Sequence, residues 1–415
     1  MSFISHPRYF SLAVLFLLAF QATISTAHKS RGGNAAPGQG RALYLITNDE
    51  SNSVVALPIG TDGRLSPGRV IPTGGGGSVA LNGDNQPATP DALVSQSALT
   101  VAGNFVFAVN AGSNSLSMLA ISPSDPTKLS LLGTPVAVPG EFANTVAASL
   151  NQGIVCVGMS GARAGISCSS FSSTRGLGPM DDVRPFDLGQ TTPPVGPTNT
   201  LSQVFFSADE SFLFATVKGD PPTNKTGFFS AFPVQRTCGR AGRSRASVSS
   251  VEQRSTPQGT AVLFGSQAIP GTFSVFATDA SFGAVVLSVD PTSGQATAKA
   301  AGRVEGQVAT CWVTISRATD TAFVTDVGAN RVVEMSLQDA SVLSEVDLSA
   351  NGDPGLIDLR AAGRFIYALS PGNGTTQAGI VVLDVSGGPG SASMVQRFGL
   401  DGVAGRNAMG MAILE

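Results

Sequence analysis

Histidine is almost missing from this sequence: His6 and His28 are the only two in 415 residues. Both precede the part of the chain that carries regular patterning, so no imidazole is expected in the folded region. That excludes Ser-His-Asp acyl transfer, a histidine general base and His-ligated zinc. Charge is scarce as well, at 13% of residues, with 25 basic against 28 acidic. There is thus no electrostatic case for nucleic acid or an anionic membrane surface. Long surface helices are also disfavoured, because their wet faces need charge. Tyrosine (3) and tryptophan (1) are few beside phenylalanine (23), so stacking platforms for sugars or bases are lacking.

Only one long apolar run occurs, FSLAVLFLLAF from Phe10 to Phe20. His6 and Arg8 precede it, and a small-residue stretch ending Ser25-Thr26-Ala27 follows. The pattern predicts a secretory signal peptide over residues 1–27, because the run is shorter than the roughly 20 residues of a membrane anchor. Residues 28–40 read as a disordered leader, and 41–415 as the folded region. The expected location is secreted, either extracellular or associated with a cell wall.

What the chain has in plenty is glycine (49), proline (25) and apolar residues (42%), the composition of many short strands joined by tight turns. From Ala42 one hairpin recurs seven times: ALYLITNDESNSVVALPI, NFVFAVNAGSNSLSMLAI, GIVCVGMSGARAGISCSSF, SFLFATVKGDPPTNKTGFFSAF, FSVFATDASFGAVVLSV, TAFVTDVGANRVVEMSL and FIYALSPGNGTTQAGIVVLDV. Further strands lie between copies, including DALVSQSALTVAGN, NTLSQVFFSADES, ATCWVTISRATD and GLIDLRAAGR. Four antiparallel strands repeated seven times predict an all-β, seven-bladed β-propeller. The first copy lacks an inner strand and the chain ends in NAMGMAILE, so Asn407 to Glu415 is expected to supply that strand and close the ring.

Cys156 and Cys168 sit symmetrically about Ala162 in the third hairpin, which predicts a cross-strand disulfide. The pairing of Cys238 and Cys311 is left open. Sequons at Asn224 and Asn373 fall in expected loops, suitable for glycans. The arginine-rich stretch over residues 236–254 has no apolar periodicity and reads as a mobile surface loop, with a polyanion-binding patch as the alternative. Thr73-Gly74-Gly75-Gly76-Gly77 reads as a flexible connector, since no helix follows to present amides to a phosphate.

The stretch NTLSQVFFSADESFLFATVKGDPPTNKTGFFSAF, with the repeats around it, resembles the lactonase-type seven-bladed propeller family. That family includes bacterial 6-phosphogluconolactonase and fungal 3-carboxy-cis,cis-muconate cyclase. The resemblance spans roughly Ala42 to Glu415 and is nearest to secreted fungal members. It implies a small lactone or carboxylic acid as ligand at the channel mouth. It also implies a catalytic histidine near the start of an inner strand, where this chain has Ser202 and Gln203. Any activity here would have to run without that imidazole. The alternative is a non-catalytic extracellular or cell-wall glycoprotein that serves as a binding scaffold.

Cations for an acidic ligand are expected from Arg163, Lys218 and Arg331 at turns between second and third strands, with Gln203 and Trp312 on inner strands. Glu141 and Asp220 are the candidate acid or base. Asp49, Glu50, Asp279 and Asp326 lie at similar turns, where Asp caps tight backbone; no metal and no cofactor are expected. The expected assembly state is a monomer.

Overall fold

The structure, a computed structural model, describes residues 38–238 and 244–415. The expected signal peptide (1–27) and most of the leader (28–40) therefore lie outside the described residues. The described chain forms seven antiparallel sheets of four or five strands. Two short 3-10 turns, Pro221–Thr223 and Ser349–Asn351, are the only helical elements among the described residues. None of its helices is long and apolar enough to cross a membrane.

Each sheet is a blade, and its innermost strand lines the central channel. The inner strands of blades 1 to 7 are Met409–Leu414, Leu99–Ala102, Ala143–Ser149, Leu201–Phe206, Leu263–Ala268, Thr310–Ser316 and Ile357–Ala362. Each packs against the inner strands of both neighbours, which makes the ring. The C-terminal strand closes it as expected: Ala42 pairs with Leu414, Leu43 with Ile413 and Tyr44 with Ala412.

Burial follows position in the blade. The second strand of blade 6, Thr321–Asp326, is buried throughout, whereas its outermost strand, Val342–Asp347, is largely exposed. Period-two alternation puts both faces of the middle strands against neighbouring blades, so these strands read as near-continuous apolar runs. Aromatic pairs knit the blades together. Phe107 of blade 2 meets Phe171 of blade 3 edge to face at 4.8 Å. Two tyrosines reach sideways through their hydroxyls. Tyr44 of blade 1 donates to the Pro126 carbonyl of blade 2 at 2.7 Å, and Tyr367 of blade 7 donates to Gly63 of blade 1 at 2.9 Å.

In blade 3, Cys156 lies directly opposite Cys168 and the two form a disulfide with a Cα–Cα distance of 4.0 Å. The expected register about Ala162 holds.

Three expectations need correction. The arginine-rich stretch is not simply a loop: on the outer side of Phe228–Cys238, Val234 to Cys238 pair with Ser244–Val248 and Phe229 to Ala231 pair with Gln253–Ser255, so it forms a split outer edge of blade 4. Arg254 earns this order by lying 3.9 Å over the Phe228 ring; Arg240 and Arg243 lie outside the described residues. The connector at residues 73–77 is packed rather than loose. A Cβ on Gly77 would come within 2.2 Å of the Asn48 carbonyl oxygen, and one on Gly75 within 2.4 Å of the Asn110 side chain. Finally, DALVSQSALTVAGN is a strand only over Leu99–Ala102. Val94 and Ser97 stand at φ 49° and 67°, which takes the preceding residues out of extended geometry.

Candidate functional site

The inner strands all run the same way through the channel, which therefore has an entry mouth where they begin and an exit mouth where they end. Asp91 to Ser97 passes between the two. Asp91 and Val94 line a cavity at the entry, whereas Gln96 and Ser97 line one at the exit. The segment is held as firmly as a strand. Gln96 donates its backbone N–H to Ser202 at 2.9 Å, and its carbonyl accepts from the Thr145 hydroxyl at 2.8 Å. Its side-chain amide donates to the Val313 carbonyl at 2.9 Å and accepts from the Val313 N–H at 3.1 Å. The register of blade 6 shifts between Thr310 and Val313, so its second strand does not pair regularly there. Gln96 fills that need, as buried backbone groups require partners.

The entry cavity has a volume of about 250 Å³ and mostly apolar walls, including Pro90, Val262, Phe264 and Trp312. Three groups in it can titrate: Asp91, Lys218 and Cys311. Lys218 is 1% exposed, donates to the Val94 carbonyl at 2.5 Å and stands 4.4 Å above the Phe264 ring. Burial, opposed by the Asp91 charge, pulls its ammonium down to about 8. Burial likewise pushes Asp91 up to about 7 against the pull of Lys218, and its Oδ1 is buried without a hydrogen-bond partner. The Cys311 thiol is buried and free, and burial raises its pKa above the usual thiol range, which makes it a poor nucleophile. Trp312 donates from its indole to the Ser95 carbonyl at 3.1 Å and meets Phe264 edge to face.

The exit cavity is larger, about 500 Å³, and polar. Gln96, Ser97, Gln203, Ser266, Gln267, Arg317 and Arg360 contribute to its lining. Gln203 braces the strands: it accepts from the Ser266 N–H at 2.7 Å and donates to the Ser97 hydroxyl at 3.3 Å. Arg360 is tied to the buried Asp358 at 2.5 Å and donates to the Ser97 hydroxyl at 3.0 Å. Asp358 also accepts the Leu359 and Met411 N–H groups, each at 2.9 Å, so its carboxylate is committed to the fold. Arg317 is exposed and has no ion-pair or hydrogen-bond partner among the described residues. The Ser266 hydroxyl is also buried without a partner.

Of the residues singled out from sequence, Lys218 and Trp312 come together in the entry cavity, while Gln203 lies in the exit one. The others line neither. Glu141 and Arg163 form an ion pair at 3.5 Å on the rim of blade 3, where Glu141 also accepts from Thr192 at 2.5 Å. Asp220 accepts from the Thr198 hydroxyl at 3.0 Å and from that of Thr223. Arg331 is held between Asp326 and Glu345, at 3.0 and 2.7 Å. Asp279 and Asp326 are turn caps: Asp279 accepts the Ala261 N–H at 2.8 Å, and Asp326 accepts those of Val308 and Ala309 at 3.0 and 2.8 Å. No cluster of three or more potential metal ligands occurs among the described residues. Asn224 and Asn373 are both exposed in loops.

Sequence reasoning missed Asp91, Arg317 and Arg360. The two arginines lie at or near turns between first and second strands, the mouth opposite the one that the resemblance brought into focus. The stretches TISRATD and LRAAGR could have shown them.

No protein-family model and no curated protein matches the chain. Solved structures do match in fold. Pseudomonas aeruginosa periplasmic gluconolactonase aligns with a TM-score of 0.60 at 14% identity, covering 90% of this chain and 99% of that one. A candidate 6-phosphogluconolactonase of Bacteroides fragilis aligns with a TM-score of 0.56 at 12% identity, covering 90% and 98%. A hypothetical selenium-binding protein of Sulfolobus tokodaii gives 0.58 at 11%, covering 91% and 94%. The shared architecture is that of a β-propeller. At such identities the likeness is one of fold, which hosts many functions.

Proposed function

We propose that this is a secreted, lactonase-like propeller that binds a small carboxylate or lactone in its exit cavity. The carrying observation is Arg317, a guanidinium without a partner among the described residues, in one polar cavity with Arg360, Gln267 and the unpartnered Ser266 hydroxyl. Guanidinium and amide donors suit a carboxylate or the carbonyl of a lactone. The nearby carboxylate, Asp358, already serves Arg360 and two backbone amides, and no imidazole is present among the described residues. The cavity is therefore suited to recognition rather than to proton transfer. Secretion is supported by the Cys156–Cys168 disulfide, which persists in oxidising compartments. The exposed sequons at Asn224 and Asn373 are the proposed glycan sites.

Calorimetry with gluconate and 3-carboxymuconate tests the reading. Arg317→Ala should weaken binding about 10-fold or more, the worth of one charged hydrogen bond. Absence of binding by the intact protein would overturn it. Turnover of 6-phosphogluconolactone or 3-carboxymuconate above background would replace binding by catalysis.

A further inference from the structure

The entry cavity plays no part in that reading, yet it holds the one fully enclosed lysine among the described residues. The chain has five lysines, at 29, 128, 218, 225 and 299. Lys128, Lys225 and Lys299 are exposed, whereas Lys218 is sealed against Phe264 and the Val94 carbonyl. Val94 holds a left-handed backbone conformation that a β-branched residue rarely adopts, and its carbonyl is the one that receives the lysine. The same cavity presents Asp91, whose Oδ1 is buried and unpartnered. A ligand carboxylate would have to approach Asp91, so an uncharged carbonyl compound fits these walls better.

We propose that the Lys218 amine reacts with the carbonyl of a small, uncharged, largely apolar aldehyde or ketone taken into the entry cavity. The nitrogen lone pair attacks the carbonyl carbon and forms a C–N bond. The C=O π pair moves to oxygen, which takes the Asp91 carboxyl proton. The added nitrogen returns a proton to Asp91, giving the neutral carbinolamine. Asp91 then protonates the hydroxyl, which leaves as water as the nitrogen lone pair forms the C=N bond, and the second nitrogen proton goes back to Asp91. The sum is amine plus carbonyl giving imine plus water, with no oxidant required. If the imine is protonated, it keeps one N–H, for which the Val94 carbonyl remains a ready acceptor. Desolvation in an apolar pocket is a recognised way to make lysine nucleophilic near neutral pH. With its ammonium lowered to about 8, Lys218 holds on the order of 100-fold more neutral amine at pH 7 than an ordinary lysine.

The test treats the intact protein with benzaldehyde and sodium cyanoborohydride at pH 7, then locates the reduced adduct by peptide mapping. The expected result is labelling of Lys218 about 10-fold faster than Lys128, Lys225 or Lys299, part of the 100-fold advantage in neutral amine being lost to weaker nucleophilicity. The rate at Lys218 should peak between about pH 7 and pH 8, where neutral amine and protonated Asp91 coexist, whereas the exposed lysines continue to gain above it. Asp91→Asn should slow labelling at Lys218 and leave the exposed lysines unchanged. Trp312, the only tryptophan, gives an independent reading, because an aromatic ring in the cavity should alter its fluorescence. Equal labelling of all lysines, or an unlabelled Lys218 in a protein of unchanged melting temperature, would overturn the proposal.

Discussion

The two ends of the channel are built from the same seven strands and differ in almost every chemical respect. At the entry, Asp91 to Val94 fold back over apolar walls, and the one cation present is buried against an aromatic ring and a carbonyl. At the exit, Gln96 and Ser97 emerge among amides and guanidiniums, and Arg317 faces solvent. A single stretch of about seven residues thus divides one tube into a dry compartment and a wet one. Blade geometry supplies the tube. The contrast comes from a connection between blades, which the repeat does not constrain.

The harshest way to break this contrast is to open the ring. Deleting residues 407–415 removes the inner strand of blade 1 together with the Met411 N–H that Asp358 accepts. Loss of cooperative unfolding in calorimetry is expected, because blade 1 gains a bare edge and the inner strands of blades 2 and 7 lose the strand they pack against; an unchanged melting temperature would refute closure by this strand.

A smaller cut targets the divider. Gln96→Leu leaves the Val313 N–H and carbonyl buried without that partner, at a cost of about 3 kcal/mol. Denaturant titration should show it as a lower midpoint with the slope preserved.

The dry compartment is sharpened by pH. The folded Asp91 holds its proton up to about 7, whereas its unfolded counterpart releases it near 3.8. Between these values the native state binds more protons, so wild-type stability falls relative to Asp91→Asn as pH rises from about 4 to about 7. Parallel midpoints across that range would show that the carboxyl is better solvated than its burial implies.

Least is expected of Arg317→Ala, whose effect on stability should stay within about 0.5 kcal/mol. A melting temperature several degrees lower would make that guanidinium a structural group and erase the difference between the mouths.

The blades were legible because each hairpin writes its own period-two pattern and its own turn, as FVFAVN followed by AGSN does in blade 2. The disulfide was legible for the same reason, since register in a tight hairpin follows from counting. Lys218 and Trp312 could be flagged because both lie next to or on regular strands. Asp91 could not. Its position depends on Val94 and Ser97 adopting left-handed conformations under contacts from Thr145, Ser202 and Val313, residues far away in sequence. The alternation in DALVSQSALTVAGN imitates a strand, and only tertiary hydrogen bonds turn half of it into a divider. The arginine-rich stretch failed in the opposite sense, lacking periodicity yet pairing along its backbone.

Joining Ala42–Ile46 to Met409–Leu414 also sets a clock on biosynthesis. The first strand of the propeller leaves the ribosome several hundred residues before its partner exists. At the usual 5–20 residues per second, that interval is roughly 20–70 s. Through all of it the apolar strand Ala42–Ile46 stands with one edge unpaired. The nascent chain is thus a long-lived client for whatever shields sheet edges, and ring closure must wait for Met409–Leu414 to emerge.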